Sequence, residues 1–351
     1  MQAVVLVGGE GTRLRPLTYI TPKPMVPIFG IPFLERTLLR LRDAGITDVI
    51  LPAGYLPEAI TSYFGTGERF GMKLTYVIED VPLGTAGALK NIEHLIEGPF
   101  FVLNGDVLTG LDLRAMLEFH RERGGLGALH LITVGDPSAY GCVVHDASGR
   151  ISAFIEKPPR ATAPTNEINA GTYLLEREIL AAIPAGRAVS IERETFPQLL
   201  AVHAPLHGYS TADYWVDLGR PEHYLQAHSD ILAGKLILPG VPGAGPFEGA
   251  TGPVQIDPRA TIELGAMLGP SAVIGAGSRV AAGARIARSV LWDNVIVGPG
   301  ASIEGAILAS GVVVGAGAHI ETGAVIGHGA VIEAGTLVKR DARILGPAAP
   351  V

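Results

Sequence analysis

The sequence has little cysteine, little lysine and little charge, and each shortage excludes a class of protein. The single cysteine, Cys142, excludes a disulfide framework within the chain, and its apolar surroundings predict a small core residue. Charged residues make up 17% and the net charge is −7, which argues against a nucleic-acid-binding protein, because such a protein should have a basic face. Hydrophobic residues make up 48%, which is too apolar for a disordered chain.

Long apolar runs are also missing. No uninterrupted apolar stretch reaches the length of a membrane span, and no charged-then-apolar leader precedes the first predicted strand. We therefore expect a cytoplasmic protein without a membrane partner. At 351 residues the chain has room for two domains, each with its own core.

Residues 1–233 alternate short apolar runs with amphipathic segments, a pattern typical of an α/β domain. Because ligands bind beyond the carboxyl ends of strands in such sheets, we expect the site where strands run into glycine-rich turns. The predicted strands are Ala3–Val7, Asp48–Pro52, Leu74–Ile78, Phe100–Leu103, Ala128–Thr133 and Cys142–His145. A predicted helix, Pro221–Leu232, closes this half.

A Pro/Gly-rich linker is predicted over 234–256, and beyond it the sequence adopts a period of six. Such a period predicts a left-handed parallel β-helix, here over 257–340 with a tail at 341–351, and fourteen aliphatic positions predict four to five coils. The positions are Ile262, Leu268, Ile274, Val280, Ile286, Leu291, Val297, Ile303, Leu308, Val314, Ile320, Ile326, Ile332 and Val338.

The β-helix is interpreted as a scaffold and an oligomerisation surface, so we expect a homo-oligomer. Some proteins with this architecture are acyltransferases, and His319 and His328 are the residues to consider for such chemistry. The spacing identifies neither histidine as a base.

The segment from Gly8 to Pro27 follows the first strand and contains three glycines, Arg13 and Lys23. Glycines allow backbone N–H groups to approach a phosphate, and fixed cations neutralise its charge. Only six of the 27 basic residues are lysines, so a lysine between two prolines is unlike ordinary surface charge. The segment is neither a P-loop nor a dinucleotide fingerprint, because the Gly-Lys-Ser/Thr run and the third glycine are both missing. It predicts a loop that binds a polyphosphate.

Two aspartates lie in turns that could hold a metal ion: Asp106 in LNGDVL and Asp217 in DYWVDLGRP. Mg²⁺ prefers few carboxylates together with phosphate oxygens and water, which suits two aspartates beside a triphosphate. Further along, Lys157 could bind a monophosphate and Glu156 could accept hydrogen bonds from sugar hydroxyls. Taken alone, each of these residues could equally be a turn, cap or surface residue.

Taken together, the motifs resemble those of the sugar-1-phosphate nucleotidyltransferases, also called NDP-sugar pyrophosphorylases. The resemblance covers residues 1 to about 235, and the nearest branch resembles mannose-1-phosphate guanylyltransferase with a hexapeptide-repeat tail. The motifs, in the order of that family, are GGEGTRLRPLT (8–18), PKPMVP (22–27), PLGTAGAL (82–89), LNGDVL (103–108), FIEKP (154–158), NAGTY (169–173) and YWVDLGRP (214–221).

The resemblance implies a Rossmann-like, mixed-sheet nucleotidyltransferase domain over 1–233 and a role for each matching residue. The reaction would be in-line attack of a sugar-1-phosphate on the α-phosphorus of a nucleoside triphosphate, assisted by Mg²⁺, with release of pyrophosphate. Arg13 and Lys23 would hold the triphosphate, Asp106 and Asp217 the metal, and Lys157 the sugar phosphate. The nucleotide site would comprise Leu6, Gly8, Gly9, Gly11, Thr12, Arg13, Glu79, Pro82, Gly84, Thr85 and Asp106. The sugar site would comprise Gly141, Glu156, Lys157, Asn169 and Gly171.

The base preference depends on Glu79, five residues before Gly84, where members specific for uracil or thymine commonly have glutamine. Guanine presents two adjacent donors that one carboxylate can accept, so Glu79 favours GTP, and Asp80 could act in its place. Mannose-1-phosphate follows from the branch resemblance alone. Thymidylyl or uridylyl transfer to glucose-1-phosphate and a non-catalytic regulatory paralogue that binds an NDP-sugar remain alternatives.

Overall fold

The computed structural model describes residues 1–239, 241, 247, 249–347 and 349. Part of the predicted linker and the last residues of the predicted tail therefore lie outside the described residues. The chain forms two compact units. The first comprises Met1–Gly9 and Thr37–Trp215, and the second comprises Glu10–Arg36 and the chain from Val216 onwards. Among the described residues, none of the helices combines the length and the apolar character needed to cross a membrane.

Helices separate most of the strands before residue 127, as the apolar pattern predicts, whereas the strands between residues 127 and 175 follow one another without an intervening α-helix. The helices are α1 (Phe33–Asp43), α2 (Pro57–Phe64), α3 (Gly84–Asn91), α4 (Leu113–Arg123), α5 (Phe196–Ala201) and α6 (Pro221–Leu232). The strands are β1 (Gln2–Leu6), β2 (Pro27–Ile28), β3 (Ile31–Pro32), β4 (Asp48–Ala53), β5 (Lys73–Ile78), β6 (Phe100–Asn104), β7 (Val107–Thr109), β8 (Gly127–Thr133), β9 (Gly141–His145), β10 (Ile151–Glu156), β11 (Glu167–Leu175), β12 (Leu206–Thr211) and β13 (Trp215–Asp217).

The first unit is built on a mixed sheet in the order β10-β9-β11-β6-β1-β4-β5, extended by β8 and β12. Strands β6, β1, β4 and β5 run parallel, whereas β11 runs antiparallel to β6. The parallel strands read as continuous apolar runs because both faces of the sheet are covered, and Ala3, Val4 and Val5 are fully buried. The prediction of a Rossmann-like mixed sheet is confirmed.

The second unit contains a coil of short parallel strands that form three sheets, consistent with the predicted left-handed β-helix. Thirteen of the fourteen predicted aliphatic positions are buried in one core, and Ile262 packs against it. Its strands are β14 (Val254–Ile256), β15 (Thr261–Ile262), β16 (Met267–Leu268), β17 (Ala272–Ile274), β18 (Arg279–Val280), β19 (Arg285–Ala287), β20 (Val290–Leu291), β21 (Ile296–Val297), β22 (Ser302–Glu304), β23 (Ile307–Leu308), β24 (Val313–Val314), β25 (His319–Ile320), β26 (Val325–Ile326), β27 (Val331–Ile332), β28 (Leu337–Val338) and β29 (Arg343–Ile344).

The predicted four to five coils are too few, because the three sheets contain six, five and five strands within the described part of the chain. Strand β14 precedes the first counted position and β29 follows the last one. Both strands continue the period of six, because Ile256 in β14 lies six residues before Ile262, Ile344 in β29 lies six residues after Val338, and both pack against the same core. They lie in the segments predicted as linker and tail.

Candidate active site

In the first unit, the carboxyl ends of four parallel strands meet at one edge of the sheet. Strand β1 ends at Leu6 and leads into Gly8 and Gly9, while β6 ends at Asn104 and leads into Asp106. The Gly105 N–H donates to the Leu6 carbonyl at 3.0 Å, which holds the two turns side by side. The structure therefore brings the predicted residues Leu6, Gly8, Gly9 and Asp106 to one edge. Parallel pairing requires this arrangement.

Glu79 follows β5 at the same edge and lies close to the glycine loop. A Cβ atom placed on Gly8 would lie 3.9 Å from Glu79 Oε2, an ordinary van der Waals distance, so the carboxylate lies directly beside residue 8. The Leu83 N–H donates to Oε2 at 3.4 Å, whereas Oε1 is buried and has no hydrogen-bond partner among the described residues. Burial raises the pKa of Glu79 and outweighs the opposing hydrogen bond from Leu83. A buried acceptor oxygen of this kind is suited to receive a donor from a ligand. Asp80 is exposed.

The predicted nucleotide residues Gly84 and Thr85 begin α3. Gly84 adopts φ +70°, and a Cβ atom there would lie 2.7 Å from the Val189 carbonyl, so only glycine permits this close approach. Thr85 Oγ1 donates to Glu192 Oε2 at 2.8 Å. Pro82, which precedes this turn, is exposed.

The predicted sugar residues Asn169 and Gly171 lie on a bulge in β11. The bulge places Gly171, with φ +73°, beside Asn104, since a Cβ atom there would lie 2.7 Å from Asn104 Nδ2. The Asn169 amide is oriented by two hydrogen bonds, one from Gly171 N at 3.0 Å and one to Tyr173 Oη at 2.6 Å. The Asn104 amide oxygen is buried and has no partner among the described residues.

Gly141 and Glu156 face each other across the antiparallel strands β9 and β10. A Cβ atom on Gly141 would lie 2.8 Å from Glu156 Oε2 and closer still to the Phe154 ring, so glycine makes room for both side chains. Lys157 follows with φ +52°, and its Nζ lies 3.3 Å from Glu156 Oε1. Its N–H donates to the Tyr140 carbonyl at 2.9 Å. The exposed ammonium is thus held beside the carboxylate that is predicted to contact the sugar.

In the second unit, Gly11 closes the turn that leads to Thr12 and Arg13. Gly11 adopts φ +65°, its carbonyl accepts a hydrogen bond from Thr18 Oγ1 at 2.8 Å, and a Cβ atom there would lie 3.1 Å from Lys23 Cβ. Single 3₁₀ turns follow at Thr12–Leu14 and Lys23–Met25. The lysine stem therefore packs directly against the glycine turn.

Arg13 and Asp217 meet at Gly219, also within the second unit. A Cβ atom on Gly219 would lie 2.5 Å from Arg13 Nη2 and 2.6 Å from Asp217 Oδ1. The Gly219 N–H donates to Asp217 Oδ1 at 2.6 Å, and His223 Nδ1 lies 2.8 Å from the Asp217 carbonyl oxygen. Arg13, a predicted phosphate-binding cation, and Asp217, a predicted metal ligand, therefore both lie against the backbone of Gly219.

Glu192 was missed by the sequence analysis. Its Oε1 accepts from Tyr173 Oη at 3.4 Å, and its Oε2 accepts from Thr85 and Ser190 at 2.8 Å each. Burial raises the pKa of Tyr173 well above its ordinary value, so the phenol stays protonated and donates. Glu192 connects the predicted nucleotide helix with the predicted sugar bulge. Its motif, SIERE, carries no local signal for this role.

Comparison with known proteins identifies the family. A family model described as nucleotidyl transferase matches residues 2–234. The chain belongs to this family. A second model, described as the GMPPB C-terminal domain, matches residues 250–347. The resemblance to nucleotidyltransferases seen in the motifs is confirmed, and the family generally uses a divalent metal ion.

This nucleotidyltransferase is similar to several proteins of named activity or known structure. The mannose-1-phosphate guanylyltransferase of Mycobacterium tuberculosis is 42% identical over 310 residues, covering 88% of this chain and 79% of that protein. The UTP–glucose-1-phosphate uridylyltransferase of Synechocystis sp. is 34% identical over 333 residues, covering 86% of each. The crystal structure of HddC from Yersinia pseudotuberculosis complexed with GMP-PN is similar with a TM-score of 0.56 and 32% identity, covering 64% of this chain and 97% of HddC.

Proposed function

We propose that this nucleotidyltransferase transfers the guanylyl group of GTP to mannose-1-phosphate, producing GDP-mannose and pyrophosphate. The observation that carries the proposal is the Glu79 carboxylate beside Gly8, with one buried oxygen that lacks a partner among the described residues. Guanine offers two neighbouring N–H donors to such a carboxylate. The similarity to a mannose-1-phosphate guanylyltransferase over 88% of the chain supports the same base and sugar.

In the proposed reaction, a phosphate oxygen of mannose-1-phosphate attacks the α-phosphorus of GTP. The bond from that phosphorus to the oxygen bridging to the β-phosphate breaks, and pyrophosphate leaves with the electron pair. The attacking group is already an anion, so the chain does not need to supply a general base. Catalysis comes from positioning and from neutralising charge.

Each predicted residue has a role that its chemistry supports. Arg13 and Lys23 bind the triphosphate, and the N–H groups of the glycine-rich loop approach its oxygens. Lys157 binds the sugar phosphate, Glu156 accepts hydrogen bonds from the sugar hydroxyls, and the Asn169 amide forms hydrogen bonds with the sugar. The remaining members line the nucleotide (Leu6, Gly8, Gly9, Gly11, Thr12, Glu79, Pro82, Gly84, Thr85) or the sugar (Gly141, Gly171).

Mg²⁺ fits the carboxylates that this chain offers. Across the described residues, no group of three or more histidine, cysteine, aspartate or glutamate side chains forms a cage for a metal. Mg²⁺ is usually bound by one or two carboxylates together with substrate phosphates, and Asp106 and Asp217 provide that number. The Gly219 N–H fixes Asp217, which orients a carboxylate for this purpose. When bound, Mg²⁺ neutralises charge on the triphosphate.

We also propose that the chain assembles into a homo-oligomer. Ile296, Val313 and Val331 lie in register on one β-helix sheet, and Ile296 and Val331 are 44% and 60% exposed. An outward row of aliphatic side chains supports a homo-oligomer formed through the β-helix, which light scattering on the full chain would test. The cytoplasmic location stays a prediction from composition.

The test is an assay of pyrophosphate release with Mg²⁺, five nucleoside triphosphates and a panel of sugar-1-phosphates. We expect the highest kcat/KM with GTP and mannose-1-phosphate. A higher value with UTP and glucose-1-phosphate would establish the uridylyltransferase that the Synechocystis relative represents. If no pair of substrates releases pyrophosphate, the result would favour the alternative of a non-catalytic regulatory paralogue.

A matched variant tests the metal assignment. Asp217→Ala should abolish turnover while the circular dichroism spectrum and melting temperature stay close to those of the wild type. An active Asp217→Ala enzyme would refute the role of Asp217 in metal binding.

A further inference from the structure

The β-helix holds the segment that carries Arg13 and Lys23, and all residues involved belong to the second unit. The first contact lies two residues before Lys23, where Thr21 Oγ1 is 3.1 Å from His328 Nε2. Close by, a Cβ atom placed on Gly327 would lie 3.2 Å from Pro16 Cβ, so the coil and the loop are in van der Waals contact. His328 is one of the two histidines without an assigned role in the sequence analysis.

His328 is held in place on two sides. Its ring packs edge-on against Trp292, with the ring centroids 5.2 Å apart, and it forms a hydrogen bond with the Leu17 backbone. Burial lowers the pKa of His328 and outweighs the opposing effect of Leu17, so the ring is neutral at neutral pH. A neutral imidazole has one unprotonated nitrogen, which can accept a hydrogen bond from the Thr21 hydroxyl.

The second contact lies four residues after Lys23. Tyr224 Oη donates to the Pro27 carbonyl and accepts the Trp292 indole N–H at 3.0 Å. Tyr224 is fully buried and Trp292 is 5% exposed, so this chain of hydrogen bonds is shielded from water. Next to it, the Phe29 N–H points at His228 Nε2 from 3.4 Å.

Lys23 thus lies between a direct β-helix contact at Thr21 and a contact at Pro27 with Tyr224 of α6, which Trp292 of the β-helix holds. Its stem packs on the glycine turn that precedes Arg13. Prolines at positions 22 and 24 restrict the backbone on either side of the lysine. A displacement at Thr21 or Pro27 is therefore transmitted to the ammonium group. Misplacement of a positioning group by about 1 Å can reduce a rate on the order of 100-fold.

We infer that Trp292 and His328 are positioning residues for nucleotidyl transfer, acting through Pro27 and Thr21 on the cation Lys23. The inference rests on the proposed function. It assigns the β-helix a role in the chemical step, in addition to its role as a scaffold.

The sharpest test compares Thr21→Val with Thr21→Ser. Valine keeps the shape but removes the hydroxyl that meets His328, whereas serine retains it. Losing one hydrogen bond of this kind should lower kcat and raise the KM for GTP, together reducing kcat/KM for GTP about two- to tenfold. Serine should restore most of the loss. The KM for mannose-1-phosphate should not change, because its predicted ligands belong to the first unit.

A second pair probes the Trp292 contact. Trp292→Phe retains an aromatic ring but removes the N–H that binds Tyr224, and we expect the same split between the two KM values. The control is His319→Ala, since His319 is exposed on the β-helix and should keep wild-type kinetics. Isothermal titration with inorganic tripolyphosphate gives a readout that is independent of turnover, and Thr21→Val should weaken its binding by a similar factor.

Two results would contradict the inference. If Thr21→Val and Trp292→Phe match the wild type in kcat, in KM for GTP and in tripolyphosphate binding, the inference is wrong. It is also wrong if they lose activity only in proportion to a lower melting temperature, with both KM values unchanged, because that is the signature of a purely structural role. A wild-type enzyme inactive with every substrate pair would instead refute the proposed function.

Discussion

Replacing Glu79 by glutamine changes one acceptor of the predicted base-reading group into a donor with almost no change in shape. The carboxylate lies beside Gly8, with Oε2 accepting from Leu83 and Oε1 buried without a partner among the described residues. Guanine N1–H and the 2-amino group need two acceptors. Glutamine offers one acceptor and sets an N–H₂ group against the second donor.

The size of the effect follows from the charge of the acceptor. Hydrogen bonds to charged groups contribute about 1.5–3 kcal/mol, so losing one should cost about 2–3 kcal/mol in kcat/KM for GTP. That corresponds to a fall of about 30- to 150-fold. Uracil and thymine pair an N–H donor with a carbonyl acceptor, which an amide complements, so UTP and dTTP should lose little or improve.

The assay measures pyrophosphate release with GTP, UTP and dTTP at saturating mannose-1-phosphate for wild type, Glu79→Gln and Asp80→Asn. The exposed neighbour Asp80 provides the matched control and should leave the GTP-to-UTP ratio unchanged. Equal losses with all three nucleotides for Glu79→Gln would refute the reasoning. Loss of GTP selectivity in Asp80→Asn alone would transfer the role to Asp80.

The melting temperature of Glu79→Gln distinguishes an altered base preference from a loss of folding. The pKa of Glu79 is raised in the folded chain, so its contribution to stability is present at low pH and is lost as the pH rises through the folded pKa. At neutral pH the buried charge is a cost, and glutamine should not lower the melting temperature. In the wild type, GTP affinity should fall as the pH drops through the folded pKa, and Glu79→Gln should abolish that dependence.

Three further predictions concern other parts of the molecule. Gly219→Ala should lower kcat at least about tenfold with an unchanged melting temperature, because its Cβ would enter the space of the guanidinium and carboxylate that meet there; Gly98→Ala, with nothing within 4 Å, is the control and should be silent. Lys157→Met should raise the KM for mannose-1-phosphate about tenfold and leave the KM for GTP nearly unchanged, since one charge-assisted contact contributes about 1.5 kcal/mol; equal rises would contradict the assignment. Burial lowers the pKa of His228 to about 4, so below pH 6.5 the unfolded chain binds a proton that the folded chain does not, and the free energy of unfolding should fall by up to about 3 kcal/mol between pH 6.5 and 4. Denaturant titrations at several pH values measure this fall, and an equally large fall in His228→Asn would contradict the prediction.

Local patterns predicted the parts of the fold that depend on local physics. The apolar runs located each listed strand of the first half to within a residue or so. For β1, β4, β5 and β6 the reason is that parallel strands must be apolar on both faces. The period of six predicted the β-helix for a similar reason, since each coil must bury one aliphatic side chain per face. The number of coils was underestimated because Ile256 in β14 and Ile344 in β29, which continue the period, were assigned to the linker and the tail.

Contacts between distant residues could not be predicted from such patterns. The partner of Thr85 is Glu192, 107 residues away, and nothing in the spacing of either motif indicates the other. The same applies to His328, whose role depends on a hydroxyl from the first strand-to-helix connection. The nucleotide and sugar motifs were recognised one at a time, whereas the hydrogen bonds that orient them appear only once the chain is folded.

The hydrogen bond between Thr21 and His328 also affects the order in which the chain can mature during synthesis. The two residues are 307 positions apart, and ribosomes add about 5–20 residues per second, so the loop waits about 15–60 s for its partner. During that interval the first unit can complete its sheet, but the segment that carries Arg13 and Lys23 lacks the surface on which it packs. We expect a nascent chain released before the last coils to expose this apolar segment to chaperones and proteases. The C-terminal residues therefore decide when the N-terminal loop becomes competent to bind phosphate.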